Sequence, residues 1–212
     1  MTTGDPATPR LEFWYEFAST YSYLAALRIE DMAQAAGVAV VWRPFLLGPI
    51  FQAQGWSTSP FNIYPSKGRY MVRDIERIAS SRGLKFQMPD EFPANGLKAA
   101  RLALAGASDG WIGEFSIRVF EAEFAHGGDI ADSRLLAAIL RDMKLDPDAV
   151  QTRAQSPEVK AALRAQSARA VELGIFGAPS FVTPDGELFW GDDRLEQALA
   201  WAKLSRQGHA PA

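Results

Sequence analysis

The first apolar run of the chain, Leu11-Glu12-Phe13-Trp14-Tyr15-Glu16-Phe17, is rich in aromatic residues and partly alternating, which predicts a strand. After a polar break at Ala18-Ser19-Thr20, apolar residues recur at helical spacing (Tyr23, Leu24, Leu27, Met32, Ala36) and Gly37 follows. This predicts one helix over 21–36, ended by the glycine. Val38-Ala39-Val40-Val41-Trp42 is apolar without interruption, the pattern of a strand buried on both faces. Strand, helix and strand at this spacing make a βαβ unit, for which a right-handed crossover is expected.

The pattern then changes. Residues 48–66 carry Gly48, Pro49, Gly55, Pro60 and Pro65 among serines and aromatics, which predicts a long, functional loop. From Lys67 to about Gly174 no segment has strand character. Helices are predicted over 68–82, 95–107, 109–125, 132–143 and 157–173, the last opened by Ser156-Pro157-Glu158 as cap and first-turn proline. Strand character returns at 180–183 and 187–190, on either side of the turn signal Pro184-Asp185-Gly186. Asp192 or Asp193 is placed to cap a last helix over 194–204, with Leu195, Leu199 and Ala202 on one face. The order βαβ, helices, ββα predicts an α/β fold: a thioredoxin-like sheet with a large all-helical insertion. On this reading residues 11–50 and 171–212 form the thioredoxin-like domain, and 51–170 the inserted linker loop and helical domain.

Composition narrows the chemistry. The 212 residues are 48% hydrophobic and 22% charged, as expected of a globular chain with a sizeable core. A net charge of −3 gives no electrostatic reason to expect nucleic acid or an anionic membrane as partner. The polar start Met1–Pro6 lacks the basic and apolar regions of a signal peptide, and no apolar run reaches the ~18 residues of a membrane span. A cytoplasmic location is expected. The chain has no cysteine, so it has no disulfide, no thiolate metal site and no disulfide-exchange chemistry of its own. With His126 and His209 as the only histidines, neither a histidine triad nor a multi-histidine metal site is expected. His209 falls in the polar tail 208–212, expected to fray.

Four segments carry candidate chemistry. Phe17-Ala18-Ser19-Thr20-Tyr21-Ser22-Tyr23 lies where a strand meets a helix. A thioredoxin-like enzyme places Cys-x-x-Cys there, and Ser19-x-x-Ser22 has the same spacing. A serine hydroxyl cannot become a thiolate, but it can donate a hydrogen bond to one brought from outside; taken alone, Ser19 reads first as a helix cap. Gly177-Ala178-Pro179-Ser180 leads into a strand and reads as a cis-proline loop, which turns the backbone of Ala178 outward to pair with an extended peptide. Asp192 and Asp193 can receive a cationic amine as well as cap a helix. Lys67, entering the helical block, can hold a carboxylate, or be an ordinary solvated lysine.

Together these segments resemble the 2-hydroxychromene-2-carboxylate isomerase family, which is similar to kappa-class glutathione transferases and, more distantly, to DsbA-type oxidoreductases. The resemblance spans about 11–204 and rests on the 17–23 segment, Trp42-Arg43-Pro44 with Leu47-Gly48, Lys67-Gly68 with Tyr70-Met71, Phe92-Pro93 with Asn95, Gly177-Ala178-Pro179, and Gly191 with Asp193-Arg194. It implies glutathione as cofactor, lying extended in the cleft. The cysteinyl backbone would pair with Ala178 beside cis-Pro179, the γ-glutamyl end would meet Asp192 and Asp193, the glycyl carboxylate Lys67, and the sulfur Ser19. The small aromatic substrate would lie against Trp56, Phe61, Tyr64 and Tyr70, with Arg43 and Asn95 for its carboxylate, although each of these side chains reads first as core packing or capping. A homodimer is implied by the resemblance alone. Two positions depart from the family pattern: Thr20 stands where many members carry proline, and Ser57-Thr58-Ser59-Pro60 lacks an asparagine before the proline, so Thr58 or Asn62 would substitute. A kappa-like transferase or peroxidase needs the same thiolate. A noncatalytic thioredoxin-like peptide-binding module needs only the cis-proline edge.

Overall fold

A computed structural model describes residues 8–205; His209 lies outside them. Strand β1 (Arg10–Tyr15) pairs in parallel with β2 (Ala39–Pro44), and on its other edge antiparallel with β3 (Ser180–Val182), which pairs antiparallel with β4 (Leu188–Trp190). The mixed sheet therefore has the order β2-β1-β3-β4, and the strands lie where the apolar patterns predict them. The period of two sorts β1 by face. Leu11, Phe13 and Tyr15 enter the main core, whereas Trp14 enters a second cluster with Phe45, Ile50, Ala170, Ile175 and Val182 on the opposite face. Phe13 lies opposite Phe181 across the antiparallel pair, the rings stacked with centroids 5.6 Å apart.

Between β1 and β2 the expected single helix is two: α1 (Thr20–Ala26) and α2 (Ile29–Ala36). No proline or glycine marks the break. It falls at Arg28, whose guanidinium reaches across to Asp192 and Glu196. Gly37 closes α2 in the left-handed conformation, as its position predicts.

Segment 48–66 is not simply a loop. It holds α3 (Leu47–Ala53) and α4 (Pro60–Ile63). Pro49 falls in the first turn of α3, where a missing N–H costs no helical bond. Ser59 caps α4, its Oγ accepting from the Phe61 N–H, with Pro60 at the first helical position. The block continues with α5 (Pro65–Ser81), α6 (Leu97–Ala105), α7 (Ile112–Phe120), α8 (Ser133–Asp142), α9 (Pro147–Ala154) and α10 (Pro157–Glu172). The predicted helix over 109–125 is α7 followed by a π turn at Glu121–Ala125. Helix α9 was not predicted, although Asp146-Pro147 opens it as Ser156-Pro157 opens α10. A 3-10 turn (Asp192–Arg194) leads into α11 (Leu195–Ser205); Gly191, rather than an aspartate, takes its capping position, with no side-chain cap bond.

The inserted helices do not form a core of their own. One buried cluster joins Phe13 and Tyr23 to Met71, Ala99, Phe124, Leu140 and Leu199. Burying such side chains stabilises by about 1.5–3 kcal/mol each, so the helical block and the sheet hold each other in place. Among the described residues no helix is long and apolar enough to cross a membrane.

Candidate active site

A cleft of about 1120 Å³ opens where the β1–α1 junction, the α3–α5 segment, the 92–97 loop and the ends of β3 and β4 meet. Its lining is mostly apolar, with a few convergent polar groups, as expected of a small-molecule site. Ser19 lies at the junction as the cap of α1. Its Oγ accepts from the Ser22 N–H at 3.2 Å and donates to the Ala178 carbonyl at 3.0 Å. The cap reading and the cleft-lining reading are therefore not exclusive: the hydroxyl caps with its lone pair and gives its proton to the carbonyl of Ala178, itself a cleft residue. Ser22, at the second position of the motif, is fully buried and its Oγ has no partner among the described residues. Pro179 follows a cis peptide bond, as does Pro93. Ala178 lines the cleft, and among the described residues its N–H meets no acceptor.

The other sequence candidates divide. Thr58, Lys67, Asn95, Asp192 and Asp193 all line the cleft. Asn95 also caps locally, its Oδ1 accepting from the Leu97 N–H. Asp192 is 3% exposed and has both carboxylate oxygens on arginines, Oδ1 on Arg28 and Arg82 and Oδ2 on Arg82. The expectation that both aspartates are open to a cationic ligand is thus corrected: Asp192 is saturated by arginines, whereas Asp193, ion-paired with Arg194 at 2.9 Å, is 73% exposed. Asn62 is outside the lining and donates to Thr58 Oγ1 at 3.3 Å, so of the two substitutes for the missing asparagine it is Thr58 that reaches the cleft.

Arg43 and Tyr64 are corrections as well. Arg43 stands opposite Trp14 in the β1–β2 register, ion-paired with Glu12 at 2.6 Å, and is not among the residues that line the cleft. Tyr64 is 45% exposed just before α5, its ring under the Lys67 ammonium at 4.8 Å. Tyr70 is likewise exposed, so of the expected aromatic wall Trp56 and Phe61 line the cleft and the two tyrosines do not.

Three features escaped sequence reasoning. Phe176 and Trp190, with ring centroids 4.9 Å apart, form an exposed aromatic pair at the rim. Tyr21 donates to Asp74 Oδ2 at 2.9 Å, and both line the cleft; burial and this carboxylate raise the phenol above its usual value. Lys67 and Asp74 stand seven residues apart on α5, two turns along one face, a spacing that was legible. Third, Glu16 lies in the cleft floor, its Oε2 accepting from the Leu47 N–H at 3.0 Å. Burial pushes this carboxyl up to about 7, against backbone N–H groups of Leu47, Ala18 and Phe17 that hold it down.

Gly68 sets the approach of α4 to α5. A Cβ there would lie 2.5 Å from the Phe61 carbonyl oxygen, a backbone atom that cannot swing aside. Gly68→Ala is expected to cost about 1–3 kcal/mol through overpacking, read as a lower thermal midpoint.

Comparison with known proteins places this geometry. Over 190 residues the chain is 28% identical to 2-hydroxychromene-2-carboxylate isomerase of Sphingobium xenophagum, covering 89% of this chain and 95% of that protein. It is 26% identical over 200 residues to glutathione S-transferase kappa 2 of Caenorhabditis elegans, covering 88% of each. A solved 2-hydroxychromene-2-carboxylate isomerase superposes with a TM-score of 0.83 at 24% identity, covering 94% of this chain and 97% of the other. Residues 10–200 match the DSBA-like thioredoxin domain. The chain belongs to the family of DSBA-like thioredoxin domain proteins.

Proposed function

We propose that this protein is a glutathione-dependent isomerase acting on 2-hydroxychromene-2-carboxylate or a related intermediate of aromatic degradation. The observation that carries the reading is the Ser19 hydroxyl, set on the cleft and hydrogen-bonded to the carbonyl that precedes cis-Pro179, in a chain without cysteine. Such a site lacks a sulfur nucleophile and has the groups to hold one brought in. The fit to glutathione is supported by the unpaired Ala178 N–H, by Lys67 and Thr58 on one wall, and by the open carboxylate of Asp193 at the rim.

When bound, glutathione supplies a thiolate able to add reversibly to a conjugated carbon. The residues do the rest. Ala178 offers N–H and C=O to an extended backbone as a strand edge does. A ligand N–H arriving at the Ala178 carbonyl competes for the acceptor that holds the Ser19 proton, which frees the hydroxyl to turn toward sulfur. Backbone docking and thiolate stabilisation are thereby coupled through one hydrogen bond. Lowering a thiol pKa from ~8.5 by one to two units contributes about 1.4–2.7 kcal/mol, partly offset by lower nucleophilicity. The larger share must come from holding the reactants in register, with Trp56 and Phe61 positioning an aromatic ring and excluding water.

Calorimetric titration of glutathione into the parent protein tests the reading; no binding at millimolar concentration rejects it. Lys67→Ala is expected to raise the KM for glutathione about fivefold, roughly 1 kcal/mol for an exposed ion pair, with kcat nearly unchanged and with the difference fading at high salt. The resemblance to a kappa-class transferase over 88% of both chains favours a second reading, a transferase or peroxidase using the same thiolate. Product analysis separates them, because conjugation and peroxide reduction consume glutathione and isomerisation does not.

A further inference from the structure

Glu16 lies in the cleft, is 9% exposed, and stands three residues before Ser19. No arginine or lysine pairs with it among the described residues; its side-chain partner is the Leu47 N–H. The elements packed around it are neutral. Helix α3 carries no charged side chain, and neither does the 92–97 loop, where Gly96 comes so close that a Cβ would lie 2.7 Å from Glu16 Oε1. Glu123 of the π turn interacts with it electrostatically: a second carboxyl, fully buried, with neither oxygen hydrogen-bonded among the described residues. Burial pushes Glu123 well above the usual carboxylate range, and the charges of Glu16 and Asp129 add to this. The other charged groups on the cleft are Lys67 and Asp74 of α5, Asp192, which is tied to its arginines, and Asp193 at the rim. A carboxyl kept without a cation, in a neutral shell and open to the ligand space, serves no packing purpose that glutamine or leucine would not serve better.

We propose that Glu16 is the proton-transfer group of this cleft, giving a proton to the substrate oxygen that gains an electron pair and taking one back as the product forms. This rests on the isomerase reading above. For a 2-hydroxychromene-2-carboxylate, the ring C–O bond at the carbon bearing the hydroxyl breaks, and its electron pair goes to the ring oxygen. The Glu16 O–H bond breaks and its proton completes the phenol. The substrate's hydroxyl O–H pair becomes the second bond of the new keto group, and that proton returns to the Glu16 carboxylate. Nothing is oxidised or reduced, and the residue ends as it began. A group that is half protonated near neutrality suits both directions of transfer, and burial places the Glu16 carboxyl at about 7.

The direct readout needs no ligand. The carboxyl infrared band lost in Glu16→Gln, taken as the difference across pH 5–9 between proteins that both carry Glu123→Gln, is expected to titrate near neutrality; the second substitution removes the neighbouring carboxyl, which Glu16 influences. Thermal stability gives a second readout. Between the ordinary glutamate value, ~4.3, and about 7, the folded chain holds a proton that the unfolded chain has released. The parent therefore loses stability as pH rises through this window, and Glu16→Gln loses less. With glutathione and chromene present, Glu16→Gln is expected to bind glutathione within about threefold of the parent, yet to turn over about 100-fold more slowly and without the parent's near-neutral limb in kcat. Gln can still accept the Leu47 N–H; should that variant not fold, Glu16→Asp, with its acid withdrawn by one carbon, is expected to lose rate and shift the limb. Titration of the Glu16 band below pH 5, or unchanged turnover and pH profile in a variant that binds glutathione, overturns the proposal alone. Failure of the parent to bind glutathione sinks the isomerase reading and this step with it.

Discussion

Replacing Ser19 with alanine is expected to leave glutathione bound but to return its thiol pKa toward ~8.5 and to slow turnover about 10- to 150-fold. That range is the rate equivalent of the ~1.5–3 kcal/mol contributed by a hydrogen bond to a charged group. The substitution also removes the lone pair that caps α1 through the Ser22 N–H, a loss of about 1 kcal/mol, so the variant remains folded and can be assayed. Thiolate absorbance of bound glutathione against pH separates the two effects. Ser19→Thr keeps the hydroxyl and is expected to restore the depressed thiol pKa. If Ser19→Ala and the parent titrate the bound thiol alike, the hydroxyl does not stabilise the sulfur, and its bond to Ala178 is structural only.

The second large effect falls on stability. Asp192 joins three elements: Arg28 at the α1–α2 break, Arg82 at the end of α5, and the turn before α11. Removing the buried carboxylate strands the charge of Arg82 and leaves Arg28 to Glu196 alone; breaking well-buried pairs costs about 3–5 kcal/mol. Arg28 and Arg82 keep 18% and 29% of their side-chain exposure, so the lower end, ~3 kcal/mol, is expected for Asp192→Ala. For a chain of this size that lowers the thermal midpoint by roughly 6–12 °C. Asp193→Ala is expected to leave the midpoint within about 1 °C, since its ion pair is exposed, while weakening glutathione binding. Equal thermal losses for the two aspartates would contradict the division of labour drawn between them.

Much of this architecture is legible in the sequence because the strands obey simple periods and the turns carry their own chemistry. Leu11, Phe13 and Tyr15 alternate, Pro184-Asp185-Gly186 marks the hairpin, and Ala178-Pro179 is placed to be cis. The 48–66 segment misleads because proline and glycine break helices in their interiors but begin them at their first turns, as at Pro49 and Pro60. Asp146-Pro147 carries the same signal for α9. The site is harder to read. Arg43 sits beside family-like residues, yet its place in the β1–β2 register puts it with Trp14 and Glu12, outside the cleft lining. Asp192 and Asp193 are neighbours in sequence with opposite fates, because one faces Arg28 and Arg82, partners 164 and 110 positions away. Glu16 is visible as an acid within an aromatic run. Its significance depends on what surrounds it, which only the packed chain reveals.

The bond from Ser19 to the Ala178 carbonyl spans 159 positions, and this dictates when the protein acquires its chemistry during synthesis. As the chain leaves the ribosome, β1 can pair with β2 almost at once. Its other edge, aromatic and hydrogen-bond hungry, must wait until residues 180–182 arrive, on the order of ten seconds later. An open edge of that composition invites pairing with another nascent chain. The helical block is made during this interval, and in the folded chain its side chains from Met71 to Leu140 share one buried cluster with Leu11, Phe13 and Tyr15 of β1. That cluster covers one face of β1 and leaves its edge to β3. A polypeptide halted before residue 178 carries Ser19, Glu16 and Lys67 but lacks the carbonyl that the Ser19 hydroxyl meets in the folded chain.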